Sequence, residues 1–363
     1  MAAITAAMVK ELRETTGAGM MECKKALNEK DGDMEGAIQW LKEHGAVKAE
    51  KKASRIAAEG LCAVAVSADG KTAAVVEVNS ETDFVAKNEK FQTYVKKVAN
   101  QALATSAADL ETFLEEKDID DASKTVKEEL TDMVAVIGEK LDIRRFKKLT
   151  TEGTIVSYVH GGGKIAVLVE GTGAEGDAVN EALKNVALQV ASMNPQYISR
   201  EDISAEEQEK IKNTVIESSL NDAFSLPKPI LNKLLDKAVN DKVWSAEDIA
   251  AYEEQKNNKF LPNFISAEGK QQLANLAVAD KAAISGEKMF AGAVDGRVSK
   301  QIKETTLLEQ TYVKAEDGKQ SVKAYLASVS KDLVIKTMVR FETGEGIEKK
   351  QENFAEEVAK QMQ

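Results

Sequence analysis

Few residues in this sequence are suited to catalysis or metal binding. The 363 residues include two histidines, His44 and His160, and two cysteines, Cys23 and Cys62. None of them has neighbours at the spacing of a zinc site or of a nucleophile–histidine–carboxylate triad. Carboxylates are abundant, but no spacing singles out a pair for acid–base work, and most acidic side chains are solvated. We therefore expect a protein that performs no covalent chemistry of its own and holds no metal or cofactor.

Two glycine-containing segments have features of nucleotide-binding loops. Gly171–Gly176 has the spacing of a dinucleotide fingerprint and lies between a predicted strand and a predicted helix. That strand belongs to a hairpin, however, whereas the fingerprint follows the first strand of a parallel βαβ unit. Asp69–Thr72 matches the end of a phosphate loop, but Ala65 stands where its first glycine is required. Ordinary turns are favoured, and a nucleotide-dependent oxidoreductase is the alternative that a dinucleotide titration tests.

The segment Thr82–Val85, Thr-Asp-Phe-Val, is the best candidate for a binding site. A phenylalanine in a polar loop commonly folds back onto its own core, and on local grounds this interpretation is as good as a functional one. A rigid aromatic ring beside a carboxylate is equally a good anchor for a protein partner. Asp83 and Phe84 are therefore candidate contact residues, with Thr82 and Val85 beside them.

An internal repeat predicts the scaffold that positions this segment. Gly60–Glu77 and Gly153–Glu170 match without a gap, and each reads as two β-rich runs joined by a glycine-containing turn. The helical segments Val95–Gln101 and Leu183–Gln189 match as well. The first copy carries a short insertion around Ser80–Lys87, so the candidate segment lies where the two copies differ. Loops placed by a rigid scaffold are common sites of function.

A third matching piece is predicted to close each copy. Ile143–Phe146 and Met338–Phe341 both end in Arg-Phe and predict the last strand of two small antiparallel sheets. Two such sheets, each with helices on one face, make an α+β fold. We place one core subdomain at residues 60–149 and the other at 150–198 and 331–343.

The flanking regions are predicted to be helical. Residues 1–45 predict three short helices, the third ending at Gly45, and residues 46–59 have no clear apolar stripe and are interpreted as a linker. Residues 199–330 predict a helical insertion into the second copy. Residues 344–363 are interpreted as a C-terminal helical module, in which Asn353–Met362 predict a helix with Phe354, Val358 and Met362 on one side.

Composition narrows the possible partners and location. Hydrophobic residues make up 43% and charged residues 30%, which is typical of a folded chain. The net charge of -11 argues against broad electrostatic binding to DNA, RNA or anionic membranes. Met1–Gly17 alternates charged and apolar residues at helical spacing, so it is not expected to be a signal peptide. Two cysteines are too few for a disulfide framework, and we expect a cytoplasmic protein.

Five blocks resemble the elongation factor Ts family in that family's order: Ile4–Arg13, Thr16–Leu27, Thr82–Lys87, Ile137–Arg145 and Val339–Lys349. The resemblance implies a ubiquitin-associated-like N-terminal domain, two related core subdomains, a helical dimerisation region and a C-terminal helix. From about Asn213 to Gly286 the family's usual pattern is lost. This stretch either enlarges a homodimer interface or covers the surface that would form one.

The resemblance also implies a function and a set of contact residues. Members of the family bind elongation factor Tu and accelerate exchange of its GDP for GTP. By resemblance, Asp83 and Phe84 enter the partner near its nucleotide and dislodge magnesium, which weakens the hold on the β-phosphate. Further partner contacts are implied for the C-terminal helix and for five residues, Lys10, Arg13, Met20, Met21 and His160. A scaffold that binds a partner without altering its nucleotide is the remaining alternative.

Overall fold

The computed structural model describes residues 4–348. Its chain divides into two compact units, one formed by Met1–Asn194 with Ala324–Gln363 and one by Pro195–Lys323. The first unit contains helices and two antiparallel sheets, and the second is helical. The predicted α+β class is confirmed. The predicted C-terminal helix carrying Phe354, Val358 and Met362 lies outside the described residues.

Three helices form the N-terminal part: α1 (Ala6–Thr16), α2 (Met20–Glu29) and α3 (Met34–Lys52). The Thr5 side chain caps α1, and Gly17 ends it in a left-handed conformation with φ 68°. Apolar residues at helical spacing meet in a small core of Val9, Leu12, Cys23, Ala26, Leu27 and Ala37. The sequence pattern therefore determines this bundle locally.

The third helix was predicted to end at Gly45. In the structure it continues to Lys52. Gly45 is buried inside the helix, and a Cβ placed on it would lie 3.2 Å from the Cβ of Ala135. The glycine allows close packing between helices and does not act as a cap. As a result, much of the predicted linker 46–59 is helical.

The first sheet has strands β1 (Glu59–Val66), β2 (Thr72–Ser80) and β3 (Leu141–Thr150), in that order and antiparallel. Four helices lie between β2 and β3: α4 (Asp83–Ala86), α5 (Glu89–Ala104), α6 (Leu110–Glu115) and α7 (Val126–Ile137). The second sheet has β4 (Thr154–His160), β5 (Ile165–Thr172) and β6 (Val334–Glu342), with α8 (Asp177–Met193) following β5. Both predicted hairpins and both closing strands are confirmed.

The register of the closing strands corrects one predicted equivalence. Val76 and Val169 are equivalent in the repeat, and they pair with Phe146 and Met338 respectively. Phe146 is therefore equivalent to Met338, whereas the Arg-Phe match had aligned it with Phe341. The match between the four-residue segments Ile143–Phe146 and Met338–Phe341 gave the wrong alignment. The hydrogen bonds between the strands determine the register.

The two faces of the first sheet have different neighbours. Val76 and Val78 belong to a buried cluster with Phe91 of α5. Residues of the opposite face belong to a second cluster that includes residues of both sheets: Cys62, Ala73, Val75, Ile155, Ala166, Leu168 and Phe341. Because successive side chains of a strand point to opposite faces, the apolar run of β2 contributes residues to both clusters. The central strand β2 is therefore buried on both faces, whereas most of β3 is only partly buried or exposed.

The second unit contains six helices of five or more residues: α9 (Ala205–Asn221), α10 (Lys228–Asn240), α11 (Ala246–Gln255), α12 (Ala267–Ala279), α13 (Lys281–Ser285) and α14 (Lys288–Thr305). Its core includes Leu220, Ile230, Leu273 and Phe290. A final helix, α15 (Val322–Val329), leads back to β6. Among the described residues, none of these helices is long and apolar enough to cross a bilayer.

Candidate partner-binding site

The Thr82–Val85 segment was predicted to be a loop. In the structure it forms a helical turn. Thr82 has extended backbone angles and is the N-cap of α4, where its Oγ1 accepts a hydrogen bond from the N–H of Val85 (3.5 Å). A threonine hydroxyl is a good N-cap because it satisfies a backbone donor that the first turn leaves free. The turn therefore begins where the sequence supplies a capping group.

The two apolar residues of the turn have opposite environments. Phe84 is 79% exposed, whereas Val85 is 8% exposed and packs with Ala86 and Phe91 in the core cluster. The interpretation in which Phe84 folds back onto its own core is wrong. Val85 was predicted as a contact residue, but its burial makes it an anchor that holds the turn on the subdomain.

Asp83 is paired with a lysine on the same turn. The Nζ of Lys87 donates to Oδ2 of Asp83 (2.7 Å), and the same Nζ lies 5.7 Å from the ring centroid of Phe84. The hydrogen bond from Lys87 lowers the pKa of Asp83. The Asp83 side chain remains half-exposed, so the carboxylate is charged and accessible to a donor from outside.

Two glutamates next to the turn are contacts that the sequence analysis did not single out. Glu139 accepts hydrogen bonds from both the N–H and the hydroxyl of Thr82. Glu81 accepts one from the backbone N–H of Lys140 (2.6 Å). The only sequence signal was that Glu139 and Lys140 lie within one of the blocks that resemble the family.

His160, an implied partner contact, lies at the end of β4 and is exposed. Its Nδ1 is 3.0 Å from the hydroxyl of Tyr158. The turn that follows packs on the first sheet, because the N–H of Cys62 donates to the carbonyl of Gly163 (2.7 Å). A Cβ at Gly163, whose φ is 105°, would lie 2.9 Å from Cδ2 of Leu61, so the close approach depends on glycine.

The predicted contact residues of the N-terminal helices are also exposed. Met20 is 58% and Met21 75% exposed at the start of α2. Lys10 and Arg13 are exposed on α1, with Lys10 3.7 Å from Glu14. Two adjacent exposed methionines form an adaptable apolar surface on this bundle.

The glycine-rich segment Gly171–Gly176 is not a dinucleotide loop. Gly171 lies in β5, which pairs antiparallel with both β4 and β6, so the parallel βαβ unit is absent from this part of the chain. A Cβ on Gly173, whose φ is 86°, would lie 1.9 Å from the carbonyl oxygen of Asp332. Close packing explains Gly171 and Gly173, and Gly176 has a positive φ of 112° that favours glycine. In residues 4–348, no group of three or more histidine, cysteine or acidic side chains is placed to hold a metal ion.

Comparison with known proteins gives the family. The family model described as Elongation factor TS matches residues 81–345. A protein named elongation factor Ts from Clostridioides difficile (strain 630) is 45% identical, and the match covers 100% of both chains. The chain belongs to the elongation factor Ts family. It is thus a translation elongation factor.

Two further relatives agree with this assignment. Proteins named elongation factor Ts from Clostridium novyi (strain NT) and Clostridium tetani (strain Massachusetts / E88) are 40% and 41% identical, over 99% of this chain and 99% or more of their own length. These full-length matches include residues 213–286, which the sequence analysis set apart from the family's usual pattern, and the match to the family model also spans this stretch. The clostridial relatives are therefore of similar length to this chain.

Proposed function

We propose that this protein binds elongation factor Tu in its GDP-bound form and accelerates exchange of GDP for GTP, without covalent chemistry of its own. The proposal rests on the family and on one observation above all. Phe84 is the most exposed large hydrophobic side chain of the described residues, at 79%, on a turn whose next residue is buried in the core.

The geometry of the turn suits insertion into a partner. A phenylalanine ring has few rotatable bonds, so ordering it in a complex costs little conformational entropy. Val85 and Ala86 hold the backbone beneath it, and both are buried. The ring is thus presented by a turn that does not need to fold on binding.

The charge of Asp83 contributes a second element. Its carboxylate lies next to Phe84 and is ionised at neutral pH, with Lys87 as its partner within the turn. We infer that insertion of Phe84 and Asp83 beside the nucleotide site of elongation factor Tu displaces the bound magnesium ion. Loss of that cation removes the charge that offsets the β-phosphate, and GDP leaves faster.

Thermodynamic linkage makes the effect reciprocal. A protein that binds the nucleotide-free partner more tightly than the GDP complex must itself be released when nucleotide binds. Met20 and Met21, with Lys10, Arg13 and His160, are proposed as further contacts that supply affinity away from the nucleotide. Phe84 and Asp83 are proposed to supply the discrimination between nucleotide states.

The test is GDP release from elongation factor Tu loaded with a fluorescent GDP, measured by stopped flow with and without this protein. We expect wild type to accelerate release and Phe84→Ala to do so much less. Phe260→Ala is the matched control, because Phe260 is also exposed, at 60%, but belongs to the second unit. Binding without any acceleration by wild type would favour the scaffold alternative instead.

A further inference from the structure

Glu139 holds the first residue of the exposed turn through both of its carboxylate oxygens. The N–H of Thr82 donates to Oε2 (3.0 Å), and the hydroxyl of Thr82 donates to Oε1 (2.8 Å). The two residues are far apart in sequence, since Thr82 follows β2 and Glu139 follows α7. The contact therefore fixes the turn to a different element of the subdomain.

A second carboxylate contact joins the same two segments, but here the glutamate lies on the side of the turn and the backbone donor lies after α7. Glu81, one position before Thr82, accepts from the N–H of Lys140, one position after Glu139 (2.6 Å). Arg55 lies 3.3 Å from the carboxylate of Glu81, and Nζ of Lys140 donates to the carbonyl of Arg55 (3.0 Å). We call the contacts among Glu81, Thr82, Glu139 and Lys140 the reciprocal clamp.

The clamp also orients the capping hydroxyl. Because the proton of the Thr82 hydroxyl points to Glu139, a lone pair of Oγ1 is left to accept from the N–H of Val85. A helix of four residues, such as α4, does not form by itself, since nucleation of the first turn is unfavourable. The conformation that presents Phe84 thus depends on groups outside the turn.

The second copy of the repeat lacks this arrangement. In the register of the two sheets, the buried residue Leu141 corresponds to the buried residue Leu333. Counting back two positions places Lys331, an exposed residue of opposite charge, where Glu139 stands. The glutamate occurs in the copy that carries Phe84 and is absent from the equivalent place in the other.

We propose that Glu139 is a positioning residue for nucleotide exchange: its carboxylate, clamped on Thr82, keeps the turn in the conformation that presents Asp83 and Phe84 to the partner. The inference rests on the proposed exchange function. Glu139 acts through the turn and needs no contact with the nucleotide or the magnesium ion.

The decisive experiment is a double-mutant cycle read as GDP release at saturating concentration of this protein. Glu139→Ala should lower the maximal release rate roughly tenfold, because small misplacements of an acting group have effects of this order or larger. Glu139→Ala should then slow release much less in the Phe84→Ala background than in wild type, because only the contribution of Asp83 is left to lose. Glu139→Gln should recover most of the rate, since an amide can still accept from the N–H and donate to the hydroxyl of Thr82.

Glu309→Ala is the matched control. Glu309 makes a two-point contact with Arg200 in the helical unit, through distances of 2.7 and 2.6 Å, so its loss removes a comparable ion pair elsewhere. It should leave the maximal release rate unchanged. A wild-type rate for Glu139→Ala, or a double mutant slower by the product of the two single effects, would overturn the proposal.

A measurement without the partner separates this inference from the proposed function. Amide hydrogen exchange of residues 82–87 should be faster in Glu139→Ala than in wild type and in Glu309→Ala. If amide hydrogen exchange of these residues is unchanged, the clamp does not hold the turn, whatever the GDP-release assay shows. If wild type itself fails to accelerate GDP release, the proposed function is wrong, and so is the role of Glu139 in nucleotide exchange.

Discussion

Oε1 of Glu77 accepts a hydrogen bond from the backbone N–H of Gly344 at 2.8 Å, which joins the centre of the first sheet to the chain that leaves the second. Glu77 is fully buried, and its carboxylate also accepts from Arg144 and Arg145, at 3.0 and 2.5 Å. Gly344 has φ 74°, and a Cβ there would lie 2.1 Å from the carbonyl oxygen of Ala58. One buried carboxylate therefore couples the two subdomains.

Truncation of Glu77 is expected to destabilise the first unit strongly. Glu77→Ala removes a buried carboxylate shared by two arginines; because these are partly exposed and Arg145 keeps Glu345, the cost falls below the ~3–5 kcal/mol of breaking a fully buried pair. The equivalent residue Glu170 is a matched control, because it accepts a single described hydrogen bond, from the hydroxyl of Thr337 (2.6 Å). Urea unfolding should show a smaller loss for Glu170→Ala, and equal losses would contradict the coupling role.

Truncation of Phe84 should affect exchange and leave stability nearly unchanged. An aromatic side chain at the centre of an interface contributes about 2 kcal/mol or more, which corresponds to about a thirtyfold or larger fall in stimulated GDP release. Phe91→Ala is the control with the opposite expectation, since Phe91 is fully buried and its loss costs about 3–5 kcal/mol. Thermal unfolding and GDP release of both variants separate the two roles.

The contribution of Asp83 should be constant between pH 6 and 8. Lys87 lowers the pKa of Asp83 below its ordinary value of about 3.9. A carboxyl with a lowered pKa contributes fully above the ordinary value, and its contribution is lost only as the pH falls through the folded-state pKa. The ratio of GDP-release rates for wild type and Asp83→Asn should therefore not change over this range. A ratio that falls toward one at pH 6 would show that another group carries the effect.

Both cysteines should be unreactive in the native protein. Burial raises the pKa of Cys62 to about 12, and burial also raises the pKa of Cys23. At pH 8 the thiolate fraction of Cys62 is then roughly a thousandfold smaller than that of a free cysteine. A thiol-reactive chromophore should label neither residue quickly in buffer and both in urea. Rapid labelling of native Cys62 would indicate that the cluster between the sheets opens.

Removal of the helical unit should leave exchange largely intact. A deletion of residues 213–286 would divide its core and expose Phe290 and Val294, so a wider cut is preferable. Tyr197 and Thr306 form a bridge, and the N–H of Gln196 donates to the carbonyl of Thr305 (2.8 Å), so the two ends of the segment lie side by side. We expect a variant in which a short Gly/Ser linker replaces residues 199–304 to fold.

Two measurements on this variant test different ideas. GDP release near the wild-type rate would show that the helical unit is not needed for exchange, and complete loss by a folded variant would contradict the prediction. The mass in solution of wild type and variant tests the predicted homodimer. If the unit forms the dimer interface, wild type should be dimeric and the variant monomeric.

The sequence by itself determined the local elements of this protein. Alternating apolar residues around glycine turns predicted both hairpins, and apolar residues at helical spacing predicted α1, α2 and α8. These patterns act over a few residues, so they can be read without knowing the neighbours. The repeat predicted two similar small antiparallel sheets, each closed by a third strand, and the structure has both.

Only the tertiary structure decided which side chains meet. In the sequence, Gly45 is compatible with a helix end or with a close contact between helices. The structure shows the close contact, with Ala135 on a helix far away in the sequence. Val85 and Phe84 are adjacent apolar residues, and the core beneath the turn buries one and leaves the other in solvent. Glu139 meets Thr82 because β3 begins opposite the end of β2, where Leu141 pairs with Ser80, and such long-range contacts leave no periodic signal in the chain.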